Sequence, residues 1–174
     1  MKLSAAPKMM NALYQNSCFY VTAMQLLEAI YEYIDPHGNE FFSKQDYYDL
    51  YESVFTTLLS RKTLQISELK KFQAMTEWAR QQVSIKQQQR LRQVQLNRQQ
   101  SLDQDRNEQE KIQPANLDEA EVEFRNLLNR LNKEVNIKLD KISNEDLVKV
   151  VLPTKVFSND RIFEIMADES RSEY

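Results

Sequence analysis

A single histidine, a single cysteine and two loose groups of carboxylates are the residues of this chain that could carry chemistry. A general base needs a positioned partner. His37 stands in the turn Asp35-Pro36-His37-Gly38 without one, and reads as a solvated turn residue. Cys18 lies among apolar neighbours in a helical pattern. A thiol is activated only beside a base or a positive field, so Cys18 reads as an inert core residue. Asp46, Asp49 and Glu52 form one acidic group and Asp103, Asp105, Glu108 and Glu110 another, and neither has the histidine and cysteine spacing of a zinc site. A chain with one glycine can hardly build a phosphate cradle. No catalytic, cofactor-binding or metal-binding residue is therefore assigned, no cofactor is expected, and the chemistry to look for is recognition.

Two features could serve recognition. From Arg80 to Arg98 the chain carries Arg80, Lys86, Arg90, Arg92 and Arg98 with no acid, interleaved with glutamine. This is the stretch suited to nucleic acid or an acidic partner, but no aromatics stand beside the charge to stack bases. A solvated helix extension or flexible loop is expected instead, and nucleic-acid binding is not. The second feature is tyrosine: Tyr47, Tyr48 and Tyr51 together, with Tyr14, Tyr20, Tyr31 and Tyr33 upstream. Most should line the core or a groove. An exposed cluster would mark a partner surface, because the ring buries area while the hydroxyl stays wet. Which residues bind a partner stays open at this point.

The elements that must position these residues are helices. The chain of 174 residues holds one glycine and four prolines, far below the turn content of a β-rich protein. Leu, Glu, Lys, Gln, Arg and Met are plentiful, and the composition predicts an all-α fold of one domain. A formal charge of −3 gives no global attraction to nucleic acid or an anionic membrane. No apolar run reaches the ~20 residues of a membrane span, and MKLSAAPK lacks an apolar signal core. With one cysteine, which precludes an intrachain disulfide, the expectation is a soluble intracellular protein, cytoplasmic or nuclear, without membrane partners.

Apolar spacing predicts helix pairs in sequence. Met9, Met10, Leu13 and Phe19 mark the inward face of a first helix. Met24, Leu27, Ile30, Tyr31 and Ile34 mark that of a second, ended by Asp35-Pro36-His37-Gly38 with the glycine free to take a left-handed turn. Phe41 and Phe42 open a short helix, and Tyr47, Leu50 and Tyr51 lead onward. Val54, Leu58 and Leu59 share a face. Leu64 and Ile66 cross a connector, and Ser67 can cap a helix bearing Leu69, Phe72, Met75, Trp78, Ala79 and Val83, with Trp78 expected near Leu59 and Phe72. From Gln81 to Gln113 twelve of thirty-three residues are glutamine and the apolar positions thin out. Pro114 marks a boundary. Leu117, Val122, Phe124, Leu127, Leu128 and Leu131 then predict another helix, Ser143 with Asp146 a capped one ended by Pro153, and a last helix starts at Ser158 with Ile162, Ile165 and Met166 inward.

The stretch VFTTLLSRKTLQISELKKFQAMTEWARQQV, residues 54–83, resembles the centre of the BACK domain, the helical module that follows the BTB domain in many cullin-ligase adaptors. Its leucine pair Leu58 and Leu59, the segment from Arg61 to Glu68, Phe72 and Trp78 match the family pattern. The helix pair over 9–35, the segment EFFSKQDYYDL and the late run VNIKLDKISNEDLVKVVLPTKVFSNDRIFEIM are similar to other parts of it. Two departures stand out: Asn136, Ile137 and Lys138 where an arginine and an aromatic are common, and a longer polar insert. The resemblance implies a BACK-like small α-solenoid over residues 9–167 with a polar, mobile or projecting insert at 84–113. It further implies a non-catalytic scaffold or spacer of a BTB-BACK substrate adaptor in a cullin-RING ubiquitin ligase, with the cullin reached through a BTB domain outside this chain and the substrate unspecified. Since nothing before Met9 resembles a BTB domain and nothing after Ile165 a Kelch propeller, the chain looks like the middle of a longer adaptor. The rival expectation is a free-standing helical interaction protein, cytoskeletal or RNA-associated, using the basic glutamine-rich insert.

Overall fold

The computed structural model describes residues 3–16, 21–101 and 117–172, and among them the chain is all-α, without a strand. Helix α1 (Ala6–Asn16) packs on α2 (Val21–Ile34) as the first pair, after a single turn at Leu3–Ala5. Met10, Leu27, Ile30, Tyr31 and Ile34 enter the core and Leu13 packs against it. Met9 and Met24, expected to face inward, are exposed. Adjacent residues point about 100° apart on a helix, so Met10 takes the inward position and Met9 turns out. Exposure along α2 falls from Val21 at 73 % to Ile34 at 0 %, so the helix enters the core only with its last turns and Met24 lies ahead of them. Phe19 and Cys18 fall outside the described residues.

Proline at position 36 ends α2 in a tight turn, Asp35–His37, followed by the short α3 (Gly38–Phe41). Gly38 does not take the left-handed turn expected of it: its φ of −53° is ordinary right-handed helix. What requires glycine is close approach, because a Cβ here would stand 2.6 Å from Ile66 Cγ2 and 3.0 Å from Leu64 Cδ1 in the connector that passes over it.

Past α3 a chain of rings joins successive elements. Phe41 packs edge-on to Phe42, Phe42 to Tyr47, Tyr47 stacks on Phe55 at 6.1 Å, and Phe55 stacks on Trp78 at 4.9 Å. These rings tie α3, a turn at Gln45–Asp49, α4 (Glu52–Ser60) and α5 (Glu68–Ser101) into one core. Offset aromatic pairs of this kind contribute about 0.5–1.5 kcal/mol each beyond burial. Trp78 is 3 % exposed, with its ring stacked on Phe55 and its indole N–H donating to the Leu50 carbonyl, in the buried cluster that also holds Leu59 and Phe72. Ser67 caps α5, its Oγ accepting from the Lys70 N–H at 3.2 Å.

Helix α5 is 34 residues long, about 50 Å at 1.5 Å per residue, and continues well past its last fully buried residue, Val83. Helix α6 (Leu117–Val135) lies antiparallel on it, and Phe124, Leu127, Leu128 and Leu131 close the core. Residues 102–113 of the expected insert fall outside the described residues.

The remainder wraps back over this core. After α6 the chain turns at Asn136, whose φ of 55° is left-handed. Asparagine tolerates this conformation better than most residues. Ser143 caps a single turn, α7 (Asn144–Asp146), as expected. The regular helix expected to follow it instead widens over Leu147–Val151, where the Leu152 N–H reaches back five residues to the Leu147 carbonyl. Pro153 supplies the reason, having no N–H to give and a ring that crowds the carbonyl four residues earlier. Lys155, at φ 55°, then redirects the chain into α8 (Asn159–Ser172), which buries Ile162 fully and Ile165 and Met166 in part.

Candidate protein-interaction site

Two side-chain constellations hold the central elements, and a cleft opens beside one of them. The first surrounds Asp35, only 6 % exposed. Arg61 places Nε at 3.1 Å and Nη2 at 3.0 Å from its carboxylate, Thr63 donates at 2.5 Å, and the Gln65 N–H donates to the Asp35 carbonyl at 2.8 Å. Arg61 also donates to Glu28 at 2.6 Å and lies over the Tyr31 ring. This charge-assisted hydrogen bonding raises the Arg61 guanidinium pKa still further, Asp35 first and Glu28 second. A buried carboxylate is tolerable only when so satisfied, and here the partners come from the connector between α4 and α5. In sequence Asp35 was legible only as part of a helix-ending turn, and its pairing with an arginine far along the chain carried no local signal.

The second constellation grips the linker from Tyr48 to Tyr51, where the turn at Gln45–Asp49 gives way to extended backbone at Leu50 and Tyr51. Asn11 of α1 donates to the Asp49 carbonyl at 2.6 Å and accepts the Tyr51 N–H at 2.9 Å. From the other side, Trp78 donates to the Leu50 carbonyl at 3.2 Å and Gln82 to the Tyr48 carbonyl at 2.8 Å. Tyr47, 1 % exposed, donates to Glu77 at 2.6 Å; burial first, and then that bond, pushes its phenol pKa strongly upward.

Between this linker, α5 and α6 lies a cleft of about 340 Å³ whose lining includes Tyr48, Tyr51, Trp78, Ile85, Lys86 and Arg130. Its cations are held: Arg130 makes two 2.6 Å bonds to Glu52, and Lys86 donates to Glu123 at 2.7 Å, which keeps the Glu123 carboxyl below its ordinary pKa. Apolar floor, wet aromatic rim and mutually neutralised charges suit contact with a protein.

The residues singled out from sequence fall as follows. His37 is exposed, with Nδ1 at 2.8 Å from the Tyr33 carbonyl and its ring stacked on Tyr33. Among the described residues no group of His, Cys, Asp and Glu is placed to hold a metal, and no helix is long and apolar enough to cross a membrane. The carboxylates Asp46, Asp49 and Glu52 do not act as a set, since Glu52 is taken by Arg130. The group from Asp103 to Glu110 lies outside the described residues, as does Tyr20. Tyr31 and Tyr47 are core; Tyr14, Tyr33 and Tyr51 are exposed, with Tyr51 accepting from Gln15 at 2.5 Å. Of the basic run, Arg80 lies over the Phe124 ring, while Lys86 and Arg90 face Glu123 and Glu119 of α6. Three of its five cations are thus committed within the fold.

A family model described as BTB And C-terminal Kelch, BACK, matches residues 13–104, just over half of the chain. The chain belongs to the BACK family. No curated protein and no solved structure matches it. In this BACK domain the matched span runs from α1 into α5 and so contains the Asp35–Arg61 cluster, the ring column and, of the linker grip, Trp78 and Gln82 but not Asn11. The similarity read in the later segment, from Val135 to Met166, lies beyond the matched residues. BACK modules are non-catalytic and of the adaptor type. Within the matched span the adjacent Leu58 and Leu59 are wholly buried and Trp78 nearly so.

Proposed function

We propose that this BACK domain is a non-catalytic spacer and scaffold of a BTB-containing substrate adaptor in a cullin-RING ubiquitin ligase, working in the cytoplasm or nucleus. The family match carries the reading. One buried cluster that runs from Leu3 to Ile162 supports it, because a continuous core makes the module stiff. The role is geometric. A stiff unit sets the distance and angle between the part that binds the cullin and the part that binds a substrate, which raises the effective concentration of substrate near the ubiquitin-loading machinery. On this reading the cullin is contacted by a BTB domain outside this chain, and the BACK domain itself makes protein contacts and performs no hydrolysis or transfer. The alternative, a free-standing RNA-associated or cytoskeletal protein using the basic run, is less well supported, because Arg80, Lys86 and Arg90 already have partners inside the fold.

Titration with a purified cullin N-terminal domain tests the proposal. This chain alone should show no measurable association, and fusing a BTB domain ahead of it should confer binding. Micromolar or tighter binding by the chain alone would give it a cullin site of its own and sink the spacer reading.

A further inference from the structure

We propose that Thr63 is a phosphorylation site whose modification opens the join between the first helix pair and the central hairpin. Thr63 is exposed on the turn that follows α4, yet its hydroxyl donates at 2.5 Å to the carboxylate of Asp35, a residue only 6 % exposed. Arg61 and Lys62 come immediately before it. Cations just ahead of a hydroxyl suit a basophilic protein kinase, whose acidic substrate cleft selects its target by that charge pattern. Because the residue is exposed, a rotation about its Cα–Cβ bond is enough to swing the hydroxyl from Asp35 toward solvent.

Transfer of the γ-phosphoryl group of ATP to Thr63 Oγ1 releases ADP and the hydroxyl proton, and turns a donor into an acceptor of nearly two negative charges. The oxygen that served Asp35 then carries a phosphate against that carboxylate. Like charges so close repel, and Asp35 loses a bond that made its burial tolerable. The neighbouring cations set the direction of the change. Arg61 already divides its guanidinium between Asp35, at 3.0 and 3.1 Å, and Glu28, at 2.6 Å. A phosphate two residues along the chain competes for the same fork, with Lys62 exposed between them, and arginine pairs with phosphate as readily as with carboxylate. Asp35, left without its partners, must reach water. The end of α2 and the connector part as it does so, and the bond from the Gln65 N–H to the Asp35 carbonyl, which spans this join, goes with them. The switch does not depend on the ligase assignment.

Incubating the whole 174-residue chain with ATP and the catalytic domain of protein kinase A or of protein kinase C tests access, with mass spectrometry of the peptides reading the position. At least one of the two enzymes should modify Thr63, and Thr63→Ala should abolish that phosphate. Hydrogen exchange of the purified phosphoprotein then tests the opening. The Gln65 amide should exchange at least about tenfold faster, while that of Met75, in the sealed part of α5, stays as it was. Thr63→Val removes the donor without adding charge, and should speed Gln65 exchange by less than about threefold. No phosphate at Thr63 with either enzyme, or phosphate on Ser60 alone, overturns the site. A Gln65 amide unchanged or slowed by the phosphate overturns the opening, and an effect of Thr63→Val as large as that of the phosphate overturns the charge mechanism in favour of a lost hydrogen bond.

Discussion

Asp35 shows how one side chain can fix the join between two helix pairs. It sits at the end of α2, and its carboxylate is met by Arg61 and Thr63 from a connector 26 and 28 residues later. Removing one partner of a buried pair leaves the other charge uncompensated. Asp35→Ala should therefore cost about 3 kcal/mol in urea unfolding, the low end of the range for broken buried pairs because Arg61 keeps Glu28. Glu28→Ala, at a side chain 52 % exposed, should cost under about 1 kcal/mol. Equal losses from the two substitutions would mean that Asp35 is not the anchor. Trp78 is the apolar counterpart. Trp78→Ala deletes a ring stacked on Phe55 and a donor to the Leu50 carbonyl, and should cost about 3–5 kcal/mol and unfold the domain near physiological temperature. A variant that melts with the wild type would show that the ring is dispensable to the core.

At the scale of elements, the contrast within α5 is the informative one. Its first half is sealed by α4, α6 and the ring column, whereas beyond Arg90 it has few apolar contacts to offset the ordering cost of about 1–2 kcal/mol per residue. Brief trypsin treatment should accordingly cut first at Arg92 or Arg98, ahead of Arg80 and Lys86, which are engaged with α6; first cleavage at Arg80 would reverse this order of local stability. Most of the elements could be read from spacing alone. Leu58 with Leu59, and Phe72, Met75, Ala79 and Val83, repeat at helical intervals because one stripe faces a core, and that regularity is visible in any window of the chain. Gly38 and Asp35 were not legible in this way. Their roles depend on Ile66 and Arg61, and a contact between distant segments leaves no period in either. Met24 fails for a related reason: periodicity assigns it a face but not the end of the helix at which burial begins.

For the whole molecule, the buried phenols link pH to stability. Burial pushes the Tyr31 pKa from 10.0 to about 12, and Tyr47 is displaced in the same direction more strongly. A phenol with a raised folded-state pKa favours folding below its unfolded value and loses that contribution as the pH rises toward the folded one. Through these two phenols stability should begin to fall above about pH 10, the Tyr31 contribution being lost by about 12 and that of Tyr47 continuing to fall beyond it. Absorbance titration should show Tyr31 and Tyr47 ionising only with unfolding. If either ionises while circular dichroism is unchanged, its ring is not sealed. The cleft was less legible than the core. The tyrosine cluster pointed toward it, but its walls come from α5 and α6 as well as the linker, and only the packed chain brings them together.

The grip on residues 48–51 acts on main-chain atoms. Asn11, Trp78 and Gln82 hold three carbonyls and one N–H, and none of these bonds depends on the side chains at positions 48, 49 or 51. Substitution at Tyr48 or Tyr51 would give up a bond to Glu77 or Gln15 but would leave the main-chain grip, and so the path of the backbone, in place. The constraint falls instead on Asn11 and Gln82, polar residues whose own neighbourhoods give no hint of it. The same occupancy also closes off strand addition at this linker, since an extended peptide would find its carbonyls already taken. Change of partner at the cleft should consequently proceed through substitution of rim side chains, over a backbone that stays where the helices put it.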